Sequence, residues 1–158
     1  MQFLEVPDFR NVALKCLSEI AGLAVGPEYN GKFVTLFNVV MTSINRMVPP
    51  STDMAAAYAT SDDDDQQLIS NLALFLTNYL HHHLRLIENP ENQELLINAH
   101  LYLIKISTVD DREVFKICLE YWAKVSFCIS IHSAKLTISS CRNYTRRSRV
   151  YRSTISIR

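Results

Sequence analysis

The 158 residues are a one-domain length, and 48% hydrophobic with 20% charged residues excludes wholesale disorder. No apolar run approaches the ~18 residues of a membrane helix, and Met1-Gln2-Phe3-Leu4-Glu5-Val6-Pro7 lacks the basic start of a secretion signal, so no anchor or leader is expected. The net charge of zero hides an asymmetry: residues 1–125 hold nine Lys/Arg and all sixteen Asp/Glu, net −7, whereas 126–158 hold seven Lys/Arg and no acid.

In chain order, Phe9, Val12, Ala13, Cys16, Leu17 and Ile20 recur at helical spacing, with Asp8 placed to cap the start and Gly22 and Gly26-Pro27 to end the helix. A second stripe runs through Phe33, Leu36, Phe37, Val40, Ile44 and Met47 and stops before Pro49-Pro50, which predicts a first hairpin of these two helices. Ser51 to Thr60 reads as a loop. Asp62-Asp63-Asp64-Asp65 leads into the longest pattern, Leu68, Ile69, Leu72, Phe75, Leu76, Tyr79, Leu80 and Ile87, its carboxylates complementing the helix dipole. Asn89-Pro90-Glu91-Asn92 breaks the chain before Leu95, Ala99, Tyr102, Leu103 and Ile106, and Asp110-Asp111 starts a last helix with Val114, Phe115, Cys118, Leu119, Trp122 and Val125 apolar. Five helices without a strand pair predict an all-α body over 1–125.

The first and last helices look alike. Leu14-Lys15-Cys16-Leu17-Ser18-Glu19-Ile20 and Phe115-Lys116-Ile117-Cys118-Leu119-Glu120-Tyr121 each set a Lys four residues before a Glu. That recurrence predicts a solenoid of stacked helix pairs of the HEAT or armadillo kind, with an irregular five-helix bundle as the alternative. The Lys15/Glu19 and Lys116/Glu120 sets are expected to be surface ion pairs along their helices.

Chemistry-bearing residues are few. His81, His82 and His83 are consecutive, so on a helix they point about 100° apart and do not converge on one ion; they are expected at a polar helix end, with His100 on another helix. The tetra-aspartate lacks the alternation and glycine turn of a calcium loop and is expected to be a solvated helix start. Cys16 and Cys118 lie on apolar stripes as small hydrophobes, and with Cys128 and Cys141 they lack zinc-site spacing, which places the chain in a reducing compartment. Gly22, Gly26 and Gly31 form no phosphate cradle, and Tyr121 and Trp122 are expected in packing. No catalytic, cofactor-binding or metal-binding residue is assigned.

Residues 126–158 contain eleven Ser/Thr, and Arg142-Asn143-Tyr144-Thr145-Arg146-Arg147-Ser148-Arg149-Val150-Tyr151-Arg152 has the charge of a nucleic-acid arm. The abrupt change of composition favours a disordered tail, or the product of a shifted frame or retained intron. A short helical-repeat adaptor whose basic tail binds nucleic acid or an acidic protein is the alternative, and it predicts salt-sensitive binding. A small helical enzyme using His81 to His83 or a cysteine is a third reading.

Four ordered blocks carry a family resemblance: Phe3-Leu4-Glu5-Val6-Pro7 with Phe9-Arg10-Asn11-Val12 and Leu14-Lys15-Cys16-Leu17; Lys32-Phe33-Val34-Thr35-Leu36-Phe37; Asn71-Leu72-Ala73-Leu74-Phe75-Leu76; and Phe115-Lys116-Ile117-Cys118-Leu119-Glu120-Tyr121-Trp122. Together they resemble the middle HEAT repeats of the exportins, nuclear export receptors of the importin-β superfamily. The resemblance implies a ring-like solenoid that shuttles between nucleus and cytoplasm, binds Ran-GTP, cargo with a leucine-rich export signal and nucleoporins, and has no cofactor or catalytic residue. It implies neither membrane nor nucleic-acid binding. The family's export-signal groove and main Ran contact lie outside the matched stretch, so no groove residue is assigned to this chain. With its end repeats uncapped at Phe9, Ile20, Phe115 and Trp122, the chain alone is expected to be marginally stable or to aggregate.

Overall fold

The computed structural model describes residues 2–127, and it divides the chain into two units, Met1–Tyr121 and Trp122–Arg158. The first is described here; of the second, residues 122–127 are helical. Expectations for the basic tail therefore fall outside the described residues, apart from 126 and 127.

All regular structure among the described residues is helical: α1 (Pro7–Ala21), α2 (Asn30–Met47), α3 (Met54–Thr60), α4 (Asp63–Ile87), α5 (Gln93–Ile106) and α6, which starts at residue 112. Short 3-10 turns at Gln2–Leu4, Pro27–Tyr29 and Pro90–Asn92 lead into α1, α2 and α5. The start of α1 differs from expectation. Val6 is the N-cap and Pro7 the first helical residue, so Asp8 lies inside the first turn, where its charge meets the dipole without capping a backbone N–H.

The starts of α4 and α6 do follow side-chain capping, whereas α2 and α5 start without a side-chain cap. Asp62 accepts from Asp65 N at 3.0 Å, and Asp111 accepts from the backbone N of Glu113 and Val114 at 3.0 and 2.9 Å. The predicted loop between Ser51 and Thr60 is helix α3 from Met54 onward. There Asp53 accepts from Ala55 and Ala56 N at 3.1 Å each, and an alanine-rich segment of low side-chain entropy continues the turn.

Pairing departs from the predicted first hairpin as well. The main partner of α1 is α4, not α2. Asn71 and Asn78 of α4 reach Asn11 and Ser18 of α1, so both helices run in the same direction. Across α4 and α2 the order reverses. Phe33 sits 4.4 Å from the His83 ring and Phe37 lies 4.0 Å from Tyr79, which makes α2 and α4 an antiparallel pair. At the other end, His100 of α5 meets Tyr121 of α6. The architecture is an all-α helical repeat: α1, then the pair α2 and α4 with α3 in its connection, then the pair α5 and α6.

The core lies along α4. Phe37, Phe75 and Tyr79 form a stacked aromatic cluster with no exposed surface, and Leu72, Leu76 and Leu80 extend it. Tyr79 donates its hydroxyl to Phe33 O at 2.9 Å, so the polar tip of a buried ring is satisfied by the backbone of α2. All eight apolar positions predicted for the long helix are buried.

Candidate interaction surface

Polar groups placed between helices mark the first seam, that of α1 and α4. Arg10 pairs with Asp65, and Asn11 donates to Asp64 O at 2.8 Å, so two acids of the tetra-aspartate tie the start of α4 to α1 while Asp62 caps it. Farther along, Asn71 donates to Asn11 Oδ1 at 3.1 Å and Asn78 to Ser18 Oγ at 3.0 Å. Ser18 and Asn71 are buried, so each bond also spares the cost of an unsatisfied polar group. The acidic cluster is thus a capping and tethering device. Its tether to α1 was not legible in sequence, because it depends on which helix becomes the neighbour.

A second seam joins α2 to α5. Asn98 donates to Asn45 Oδ1 at 3.0 Å, and the Tyr102 hydroxyl lies 2.9 Å from the same oxygen and 2.5 Å from Val48 O. Burial pushes the Tyr102 phenol up to about 12. Lys105 reaches the carbonyl of Pro50 and, at 3.4 Å, that of Thr52, closing off the end of α2. Both carbonyls lie beyond the end of α2 and outside any helix, which leaves them without helical partners.

The histidine run splits by direction. His81 and His82 are exposed, with His82 Nδ1 2.9 Å from Asn78 O, whereas His83 turns into the core. His83 is therefore not part of a polar helix end. Its ring packs 4.4 Å from Phe33 and 5.2 Å from Tyr79, and its Nε2 is buried without a hydrogen bond. Burial is the main cause holding its pKa below the ordinary histidine value; His82 adds to this, while the carbonyls of Ala21 and Leu23 oppose it. Among the described residues no three His, Cys, Asp or Glu side chains gather as a metal site.

His100 is positioned by both nitrogens. Nδ1 lies 2.9 Å from Leu96 O, so that nitrogen carries the proton in the neutral ring, and Nε2 accepts from the Tyr121 hydroxyl at 2.7 Å. Burial raises the Tyr121 phenol to about 12, which keeps it a donor. Cys118 is buried and burial raises its thiol pKa, the opposite of what a nucleophile needs. Cys16, expected inside, is exposed. It lies on the predicted apolar stripe, but nothing in this unit covers that stripe. Lys15, Glu19, Lys116 and Glu120 are all exposed, and neither expected Lys-Glu set forms an ion pair; Arg10–Asp65 and Arg46–Glu5 are pairs that do form.

Several large apolar side chains remain open on the surface. Phe9, Val12 and Ile20 on α1, Ile97, Leu101 and Ile104 on α5, and Phe115 and Leu119 on α6 are exposed. Phe3 stands edge-on to Phe9, at 6.3 Å, and extends the first patch. Exposed apolar patches of this kind are typical of surfaces that contact other proteins. No helix among the described residues is long and apolar enough to cross a membrane.

A family model described as "Chromosome region maintenance or exportin repeat" matches residues 94–127, the stretch that forms α5 and α6. Exportin-1 of Schizosaccharomyces pombe is 59% identical over 124 residues, which is 78% of this chain. The matched stretch is homologous to a section of exportin-1. Exportin-1 of Drosophila melanogaster is 46% identical over 121 residues and Protein EXPORTIN 1A of Arabidopsis thaliana 42% over 123, each covering 77% of the chain. The chain spans 11 to 12% of the length of these curated relatives. The repeat match coincides with the α5–α6 helix pair joined by His100 and Tyr121.

Proposed function

We propose that this chain is a section of a nuclear export receptor that carries cargo with leucine-rich export signals, together with Ran-GTP, through nuclear pores. The observation that supports this most is the 59% identity over 124 residues to exportin-1 of S. pombe. In this reading the section is scaffold. Its seams fix how successive helix pairs stack, while the export-signal groove and the main Ran contact belong to other parts of the receptor. It has no catalytic, cofactor or metal site of its own, and residues 1–125 form the repeat body. Nucleoporins, Ran-GTP and cargo are partners of the whole receptor, which shuttles between nucleus and cytoplasm. Such a receptor works by linked binding, in which Ran and cargo raise each other's affinity through solenoid conformation.

Two measurements test the proposal. Residues 1–125 are exchanged for the corresponding section of S. pombe exportin-1, and nuclear clearance of a reporter with a leucine-rich export signal is followed in cells. Restored export is expected. A chimera that is stable and abundant but leaves the reporter nuclear overturns the reading. In a pull-down, the chain alone is expected to capture little GTP-loaded Ran or export-signal peptide, and cooperative capture of both would overturn the placement of the binding sites outside it.

A further inference from the structure

Asn30-Gly31 opens α2 and is the one asparagine–glycine step in the chain. An asparagine reacts with its own backbone when the amide nitrogen of the next residue attacks the side-chain carbonyl carbon, and a side chain on that next residue hinders the approach. Glycine offers no such hindrance. Gly31 is exposed, and a Cβ built onto it would meet no heavy atom within 4 Å, so nothing packs against that side of the step.

The local structure holds the pair loosely. Among the described residues no side-chain hydrogen bond fixes the Asn30 amide, whereas Asn11, Asn45, Asn71, Asn78 and Asn98 are all bonded across seams. Asn92 is not fixed in this way either, but Gln93 follows it and carries a side chain. Neither the 3-10 turn Pro27–Tyr29 nor α2 has a side-chain cap, and Gly31 weakens the first turn relative to alanine. Asn30 is itself helical, at φ −51° and ψ −46°, which keeps the Gly31 nitrogen off the side-chain carbon. Reaction therefore waits on fraying of the first turn, and an uncapped helix end frays readily.

We propose that Asn30 is a site of spontaneous covalent modification, at which the Gly31 nitrogen displaces ammonia from the Asn30 amide and water then opens the succinimide that results. The new bond joins Gly31 N to Asn30 Cγ, the Cγ–Nδ2 bond breaks, and the Gly31 amide proton leaves with the departing ammonia. Water added at one ring carbonyl gives aspartate, and at the other isoaspartate, with the main chain routed through the side chain. Aspartate puts a carboxylate into a first turn of α2 that holds none. Isoaspartate instead lengthens the backbone one turn before Phe33, whose carbonyl accepts from Tyr79 and whose ring packs on His83. One product keeps the start of α2 and the other disrupts it.

The full chain is incubated under native conditions at neutral and mildly alkaline pH, and samples are digested with trypsin. The peptide 16–32 carries no other amide side chain, so its conversion to the acid is read from its mass, and chromatography separates the two acid forms. Conversion is expected to run several-fold faster than anywhere in peptide 86–105, which carries Asn92, and to rise with pH because the attacking nitrogen must lose its proton. Gly31→Ala, which the open space admits, is expected to slow it several-fold. A peptide 16–32 that keeps its amide in the native chain while converting in urea, equal rates in the two peptides, or a Gly31→Ala chain that converts at the wild-type rate overturns the proposal.

Discussion

Asn78 donates to the hydroxyl of Ser18 at 3.0 Å and lies within 3.3 Å of its carbonyl, across sixty residues of chain. One amide thereby joins two helices of successive layers at a point where little water enters.

Asn78→Ala strands Ser18 at that seam, and a loss of about 1 to 3 kcal/mol in unfolding free energy is expected from urea titration. Pairing it with Ser18→Ala removes the stranded partner, and the double variant is expected to lose less than the two single losses added together. Additive losses would mean that the two residues are not coupled.

Buried apolar contacts weigh more than this bond. Leu76 has no exposed surface at the centre of α4, and Leu76→Ala is expected to cost about 2 to 5 kcal/mol, measured by the same titration. Tyr79→Phe keeps the ring and removes only the bond to Phe33 O, at about 0.5 to 1.5 kcal/mol.

His83 sets a pH dependence whose sign follows from its burial. Its folded pKa lies below the ordinary 6.5, so the unfolded chain binds its proton first as the pH falls. This contribution is fully present above about 6.5 and is lost as the pH drops from there toward the depressed folded value. Thermal melts between neutral and mildly acidic pH are expected to show a falling midpoint, and His83→Phe to flatten that part of the curve. A wild-type midpoint that does not fall would count against a buried neutral His83.

Thiol labelling separates two cysteines that look equivalent along the chain. In a Cys128→Ser, Cys141→Ser background, a maleimide is expected to modify Cys16 in the native state and Cys118 only after denaturant is added. Modification of both at equal rates would show that α6 does not stay packed.

Much of the fold was legible because burial follows period. Leu68, Leu72, Phe75, Leu76 and Tyr79 announce their helix and its inward face, and Pro49-Pro50 and Asp111 mark a stop and a start that the structure keeps. Pairing was not legible. Adjacent helices suggested a hairpin of α1 with α2, but local periodicity says which face is buried and nothing about which helix buries it. The same gap explains Cys16, correctly placed on an apolar stripe and yet exposed, and His83, assigned to a polar end and yet packed on Phe33. The helix α3 had a signal in Asp53 ahead of Met-Ala-Ala-Ala, which seven residues kept too short for an amphipathic pattern. Phe9, Ile20 and Phe115, named on the outermost helices, are exposed.

α1, α2, α3 and α5 all pack on α4. In a long repeat array each unit touches only its neighbours, and melting can begin at an end and travel. Here one helix, α4, packs against four others in the first unit. Losing α4 removes four helix contacts at once, so Met1–Tyr121 is expected to melt in one calorimetric transition and not by stepwise fraying.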